Sequence, residues 1–182
     1  AFTRGTTFLK DKLEQDIFSK NINIFDDPLI KMGLGSQPFD SEGVACKKIQ
    51  LVENGKLKNI FLDTYHSNIL KMETNGRSGG STNLFFSNGF VKLEKMILDQ
   101  KKALYITDLI GRGSDIITGD YSVGASGILI ENGEFLYPVN EITIAGNLLN
   151  MYKNMTLADD LEFAYSTNSP SILVNEMIIA GK

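Results

Sequence analysis

The chain has one histidine, one cysteine, no tryptophan and four prolines among its 182 residues. A single histidine, His66, excludes an HExxH zinc helix and any two-histidine metal site built from these residues alone. A single cysteine, Cys46, excludes an intrachain disulfide and makes a cytosolic location the expectation. Positive charge is also scarce. The net charge is −4 with a pI near 5.1, and Lys10, Lys12, Lys47, Lys48, Lys101 and Lys102 sit in short groups mixed with acids. They read as solvated surface, so no nucleic-acid partner is expected. No apolar run approaches the roughly 20 residues needed to span a bilayer, so no membrane partner is expected either. Ala1-Phe2-Thr3-Arg4-Gly5 is not a charged-then-apolar signal segment. A start at Ala1 without Met fits both Met removal and a fragment. A GxSxG nucleophile turn occurs nowhere.

What is present suits one globular domain: 42% hydrophobic and 22% charged residues. Thr118–Leu148 reads as a glycine-studded strand, an Asn132-Gly133 turn and a returning strand, since Asn-Gly supplies the positive φ of a two-residue hairpin. Asn54-Gly55 marks a second such turn, between strands at Lys47–Glu53 and Lys56–Asp63. Leu9, Leu13 and Ile17, spaced four apart, predict a helix over Thr6–Ser19 with Thr6 or Thr7 as its cap. Further strands are expected at Asn21–Phe25, Thr82–Phe86, Ala103–Ile110 and Ser171–Ile179. Helical segments are expected at Tyr65–Met72, Phe90–Lys101 and Leu148–Met155. Gly33–Gly43 and Gly111–Gly113 read as loops, and Asn75–Ser81, with three glycines and no apolar residue, as the most flexible segment. The fold class is α+β with a largely antiparallel sheet and no linker dividing it.

Candidate chemistry is thin. His66 lies at a strand-to-helix corner and reads as a half-buried polar residue or, alternatively, as a catalytic base. Cys46, beside Lys47 and Lys48, is a small apolar filler or a mildly activated thiol. Asp26-Asp27, Asp40 with Glu42, and Asp159-Asp160 with Glu162 lack EF-hand spacing and suit turns and helix starts. Gly111-Arg112-Gly113-Ser114 lacks the GK[ST] of a phosphate loop. From these residues no catalytic, cofactor-binding or metal-binding side chain is assigned.

The string TGDYSVGASGILIENGEFLYPVNEITIAGNL over Thr118–Leu148 resembles the C-terminal region of the TldD/PmbA family, in its PmbA (TldE) branch. Arg4–Asp11, Gly35–Gly43 (GSQPFDSEG), Leu51–Gly55, Leu62–Tyr65, Thr82–Leu84 and Pro170–Gly181 resemble the same branch in the same order. The resemblance implies that residues 1–182 form the C-terminal domain of a longer protein whose N-terminal domain lies outside this chain. It also implies a two-subunit metalloprotease acting on unfolded or modified peptides. There a TldD-like partner carries zinc on an HExxxH helix and a cysteine in a later loop. Here the corresponding Asp160–Ser169 has no cysteine, so the resemblance implies a PmbA-like chain that needs no metal of its own. Its partners would be the TldD-like subunit and a peptide, with a homodimer as the other assembly.

Peptide contact is expected near Gly119, Asp120, Tyr121, Ser122 and Gly124, where side-chain-free positions let a backbone approach. Gly119, Gly124 and Gly127 equally suit a bulge or close sheet packing. The alternatives are an independent hydrolase using an acid cluster or His66, and a gyrase-associated binding protein, after the family's older name.

Overall fold

Asn132 and Gly133 adopt φ of 52° and 81°, and this turn joins the two longest strands, β6 (Asp120–Glu131) and β7 (Glu134–Asn147). In the computed structural model, which describes residues 1–181, these strands are the centre of a four-stranded antiparallel sheet. β5 (Lys102–Ile110) pairs with β6, and β11 (Ile178–Ala180) pairs with β7, giving the order β11-β7-β6-β5. A second sheet has the order β3-β2-β1-β4-β9, from β1 (Ile24–Asp26), β2 (Ile49–Glu53), β3 (Lys56–Leu57), β4 (Leu84–Phe86) and β9 (Thr167–Asn168). Among the described strands, only β4 and β9 pair in parallel, and Val91 and Ala158 form an isolated parallel bridge. β8 (Met155–Leu157) and β10 (Ile172–Val174) form a third, two-stranded sheet. Among the described residues, three short α-helices, α1 (Thr64–Leu70), α2 (Leu93–Leu98) and α3 (Leu148–Lys153), and a 3-10 turn at Phe2–Arg4 complete the fold. None is long and apolar enough to cross a membrane. The class is α+β with mostly antiparallel sheets.

Two apolar clusters hold the layers. Ile17, Ile22, Ile24, Val52, Leu57 and Leu157 form one, and Val123, Ala125, Ile142 and Ile144 the other. Pro138 lies inside β7, yet β11 reaches only Thr143–Ala145. Pro138 pairs with Ile128 of β6 beside a register shift in that ladder and lies beyond the reach of β11, the irregular strand context in which proline is tolerated.

The predicted helix over Thr6–Ser19 does not form; turns replace it. Asp11 and Glu14 have φ of 57° and 64°, which a right-handed helix cannot accommodate. The backbone instead bonds to the β2–β3 hairpin, through Glu14 N–H to the Leu57 carbonyl and through Ile17 and Phe18 N–H to that of Gly55. Leu9, Leu13 and Ile17 still face the core; tertiary hydrogen bonds have overridden a helical spacing. Thr7 Oγ1 accepts from Leu9 N–H within a turn rather than capping a helix.

Three further expectations are corrected. The Ser171–Ile179 strand splits at Asn175–Met177, where Glu176 has φ 62°, and its halves join different sheets. The second strand of the Asn54-Gly55 hairpin ends at Leu57, well before Asp63. The helix expected over Phe90–Lys101 is confined to Leu93–Leu98, because Val91 bridges to Ala158 and leaves Phe90 in solvent.

Gly89 shows how tightly the sheets meet. A Cβ there would collide with the carbonyl groups of Leu157 and Ala158. Gly89→Ala should cost about 2 kcal/mol through forced backbone movement, read as a lowered urea midpoint. An unchanged midpoint would mean that this junction yields freely.

Candidate functional site

The residues expected to contact peptide lie where β6 begins. Gly119 is buried with φ 80°, and Phe8 lies over it, with ring atoms 3.1–3.3 Å from the position a Cβ would take. Asp120 is exposed; its Oδ1 accepts from Asn147 Nδ2 at 3.3 Å, and its carbonyl accepts from Asp115 N–H at 2.8 Å. Burial raises the pKa of the Tyr121 phenol. Tyr121 bridges to Ser114, and Ser122 N–H donates to the Gly113 carbonyl at 2.7 Å. Gly124 stands between Ile110 and Thr143. The β6 backbone over this stretch is thus flanked on both sides, so an extended peptide has no open edge to join here.

Register defines the remaining approach. Ile178, Ala145 and Ser122 lie side by side across the sheet, as do Ala180, Thr143, Gly124 and Ile110. Opposed residues share a face. Val123 and Ile144, at the intervening positions, point into the core. The outer face therefore presents Ser122 and Gly124 among small side chains, flanked by Ile178 and Ile110, which are 68% and 61% exposed. Gly127 plays a different part: a Cβ there would strike the Tyr105 carbonyl, so it serves close strand packing. Gly113 likewise packs against Ser122 and Val123, which makes the Gly111–Gly113 turn part of the sheet rather than a phosphate cradle.

His66 lies on the first turn of α1. Its N–H donates to Asp63 Oδ1 at 2.6 Å, so Asp63 caps the helix, and ring Nδ1 stands 2.8 Å from both Asp63 oxygens. These contacts, the backbone bond first, hold the Asp63 carboxyl below its usual pKa. Cys46 is buried, with Sγ 3.1 Å from the Gly76 carbonyl oxygen. The acid groups are occupied separately. Asp27 accepts from Leu29 N–H, Glu42 accepts from Thr64, and Asp160 accepts from Ser171 N–H and Oγ. Among the described residues no group of three or more His, Cys, Asp or Glu is placed to hold a metal ion.

The largest polar assembly is one that sequence reading missed. The expected flexible loop Asn75–Ser81 contains Arg77, whose side chain is fully buried against that of Asp26. Nε donates to Asp26 Oδ1 at 2.7 Å, and the terminal nitrogens donate to the carbonyls of Asn75, Gly76, Asp26 and Lys47. Asp26 also accepts from the N–H and hydroxyl of Thr82. Asp40 accepts from the backbone of Glu42, Val44 and Ser78, and Asn83 accepts from Gly35 N–H. The one signal in the sequence was an arginine, one of only three in the chain, inside an otherwise uncharged glycine loop.

Burial pushes the Asp40 carboxyl up, but the amides of Ser78, Val44 and Glu42, with the Arg77 charge, outweigh it and hold the pKa below 3.8. A depressed carboxylate contributes stability above its unfolded pKa, and this is lost as pH falls through the folded value. Asp40→Asn should therefore be less stable than the parent near neutral pH, with the gap closing below about pH 3.8. Urea midpoints across pH test this; a gap that widens in acid would refute it.

Comparison with known proteins identifies the family. Residues 1–181 match the family model for the PmbA/TldA metallopeptidase C-terminal domain. The chain belongs to the PmbA/TldD family. It is 39% identical over 180 residues to the Metalloprotease PmbA of Escherichia coli O157:H7, covering 98% of this chain and 40% of that one. Its fold is similar to the crystal structure of TldE from Thermococcus kodakarensis, with a TM-score of 0.84, 29% identity, and coverage of 98% of this chain and 44% of that one. It is also similar to a Thermotoga maritima protein described as a candidate modulator of a DNA gyrase, with a TM-score of 0.90 and 30% identity, covering 98% and 44%. The chain thus spans about 40% of the length of the curated PmbA relatives it matches. Within this metallopeptidase family, the donor set of residues 1–181 does not fit a zinc site.

Proposed function

We propose that this chain is the C-terminal domain of a PmbA/TldE-like subunit that does not itself cut, and that a TldD-like homologue supplies zinc and the hydrolytic chemistry. The observation that carries this reading is the mismatch between a metallopeptidase family and the available donors. The single histidine is held by Asp63, the single cysteine is buried against a backbone carbonyl, and the acids are dispersed into turns and caps. The outer face of the large sheet supports the rest of the reading. Exposed apolar residues ranged along a smooth sheet suit contact with another chain. On this reading, Asp120, Ser122 and Gly124 border the space in which a peptide lies, while Gly119, buried under Phe8, and Tyr121, packed against the Val123 cluster, support that stretch from the inner face. Contact there would run through the side chains of Asp120 and Ser122 and over the bare surface of Gly124, since the backbone is already paired.

The test is an assay of an unstructured peptide with three preparations. These are the full-length protein containing this chain, that protein with a TldD-like partner, and the same mixture with the partner's HExxxH glutamate replaced. Cleavage is expected only with the intact partner and should disappear on adding a chelator. Cleavage by the full-length protein alone, after repurification, would overturn the proposal and favour an independent hydrolase.

A further inference from the structure

The chain contains four Asn-Gly pairs: Asn54-Gly55, Asn75-Gly76, Asn88-Gly89 and Asn132-Gly133. Asn-Gly is chemically the most labile dipeptide of its kind, because glycine leaves its own amide nitrogen unshielded. That nitrogen, once deprotonated, attacks the asparagine Cγ. A C–N bond forms, the side-chain nitrogen leaves as ammonia, and water opens the resulting succinimide to aspartate or isoaspartate. One water is consumed and one ammonia released, with no oxidant or cofactor.

The fold obstructs this reaction at all four places, by two different means. Where the asparagine is exposed in a hairpin turn, the nucleophile is tied up. Gly55 N–H donates to the Ile22 carbonyl and Gly133 N–H to that of Gln100, both at 2.9 Å, and both glycines are buried. A buried, hydrogen-bonded N–H gives up its proton reluctantly and points away from the side chain it would attack. Where the asparagine lies in a loop, the electrophile is tied up. Asn75 donates to the Ile60 carbonyl at 2.8 Å and accepts from Leu62 N–H at 3.0 Å, which fixes its amide. Asn88 has both restraints: its side chain is held by the Asp159 carbonyl and Leu161 N–H, while Gly89 N–H donates to the Ala158 carbonyl at 2.8 Å.

We propose that these four pairs are latent deamidation sites, silenced by the native hydrogen bonds and released when the domain opens. The product is also hard to take back into the fold. Isoaspartate at position 132 would lengthen the backbone of a turn that needs its present geometry. An aspartate at position 75 would set a carboxylate against the Ile60 carbonyl where an N–H now donates. Extended unfolding would thus mark the chain and impede its refolding.

The experiment incubates the purified chain in one mildly alkaline buffer, native or unfolded in urea, and reads each site by peptide mapping with isoaspartate detection. All four sites should convert in the unfolded chain and at least about tenfold more slowly in the native one, as expected for a reaction that requires local opening. Asn88, restrained at both reacting groups, should be the slowest site in the native protein. A short peptide carrying Glu131–Phe135 should convert equally fast with and without urea. Native conversion of any site at its unfolded rate, Asn88 converting first, or an equal acceleration of the peptide by urea would each overturn the proposal.

Discussion

Arg77→Ala should lower the stability of the domain by about 3–5 kcal/mol, the cost of leaving one member of a buried ion pair without the other. Neither the Arg77 nor the Asp26 side chain has any exposure to water, and the guanidinium also satisfies four backbone carbonyls from three chain segments. Removing it strands a carboxylate and these acceptors together. Against a typical domain stability of about 5–15 kcal/mol, that is a large share. Urea denaturation followed by circular dichroism gives the magnitude, and a midpoint within error of the parent would show that the clasp contributes little. Arg77→Met combined with Asp26→Leu should recover part of the loss by removing both charges. Recovery should be incomplete, because all four backbone carbonyls, at positions 26, 47, 75 and 76, remain without their donor and Thr82 loses its carboxylate acceptor.

Replacing both turn residues, Asn132→Val and Gly133→Val, should cost about 3 kcal/mol, since each β-branched residue is forced to a positive φ. Gly133 has a second constraint: a Cβ there would lie 2.8 Å from the Leu98 carbonyl oxygen and 2.9 Å from its Cα. The hairpin tip is seated on the end of α2, with Asn132 N–H bonded to the Lys101 carbonyl and Gly133 N–H to that of Gln100. The double variant should thus disturb both the turn and its seat. Denaturation with an unchanged midpoint would show that neither matters. Asn132→Val alone separates the two effects, because it strains the turn while leaving Gly133 and its seat against Leu98 unchanged.

Local chemistry in the chain was enough to define the two hairpins, because Asn-Gly, unlike most dipeptides, accepts the backbone angles that reverse a strand in two residues. The same turn placed the strands that became β6 and β7, the strand expected over Ala103–Ile110 became β5, and the resemblance of Thr118–Leu148 led to the family. The scarcity of histidine and cysteine bounded the chemistry before any geometry was known. Thr6–Ser19 shows where this reasoning stops: its spacing suited a helix, but the nearby β2–β3 hairpin offered backbone partners that a helix would have forgone. Ser171–Ile179 divided because two sheets compete for its halves. Asn75–Ser81 looked loose because its anchor, Asp26, lies 51 residues away in sequence. The outer face of the large sheet likewise exists only once β11, β7, β6 and β5 are in register. Local propensity is written in neighbouring residues and can be read there, whereas a buried ion pair and a shared sheet face depend on which distant segments meet, and that is decided only when the whole chain packs.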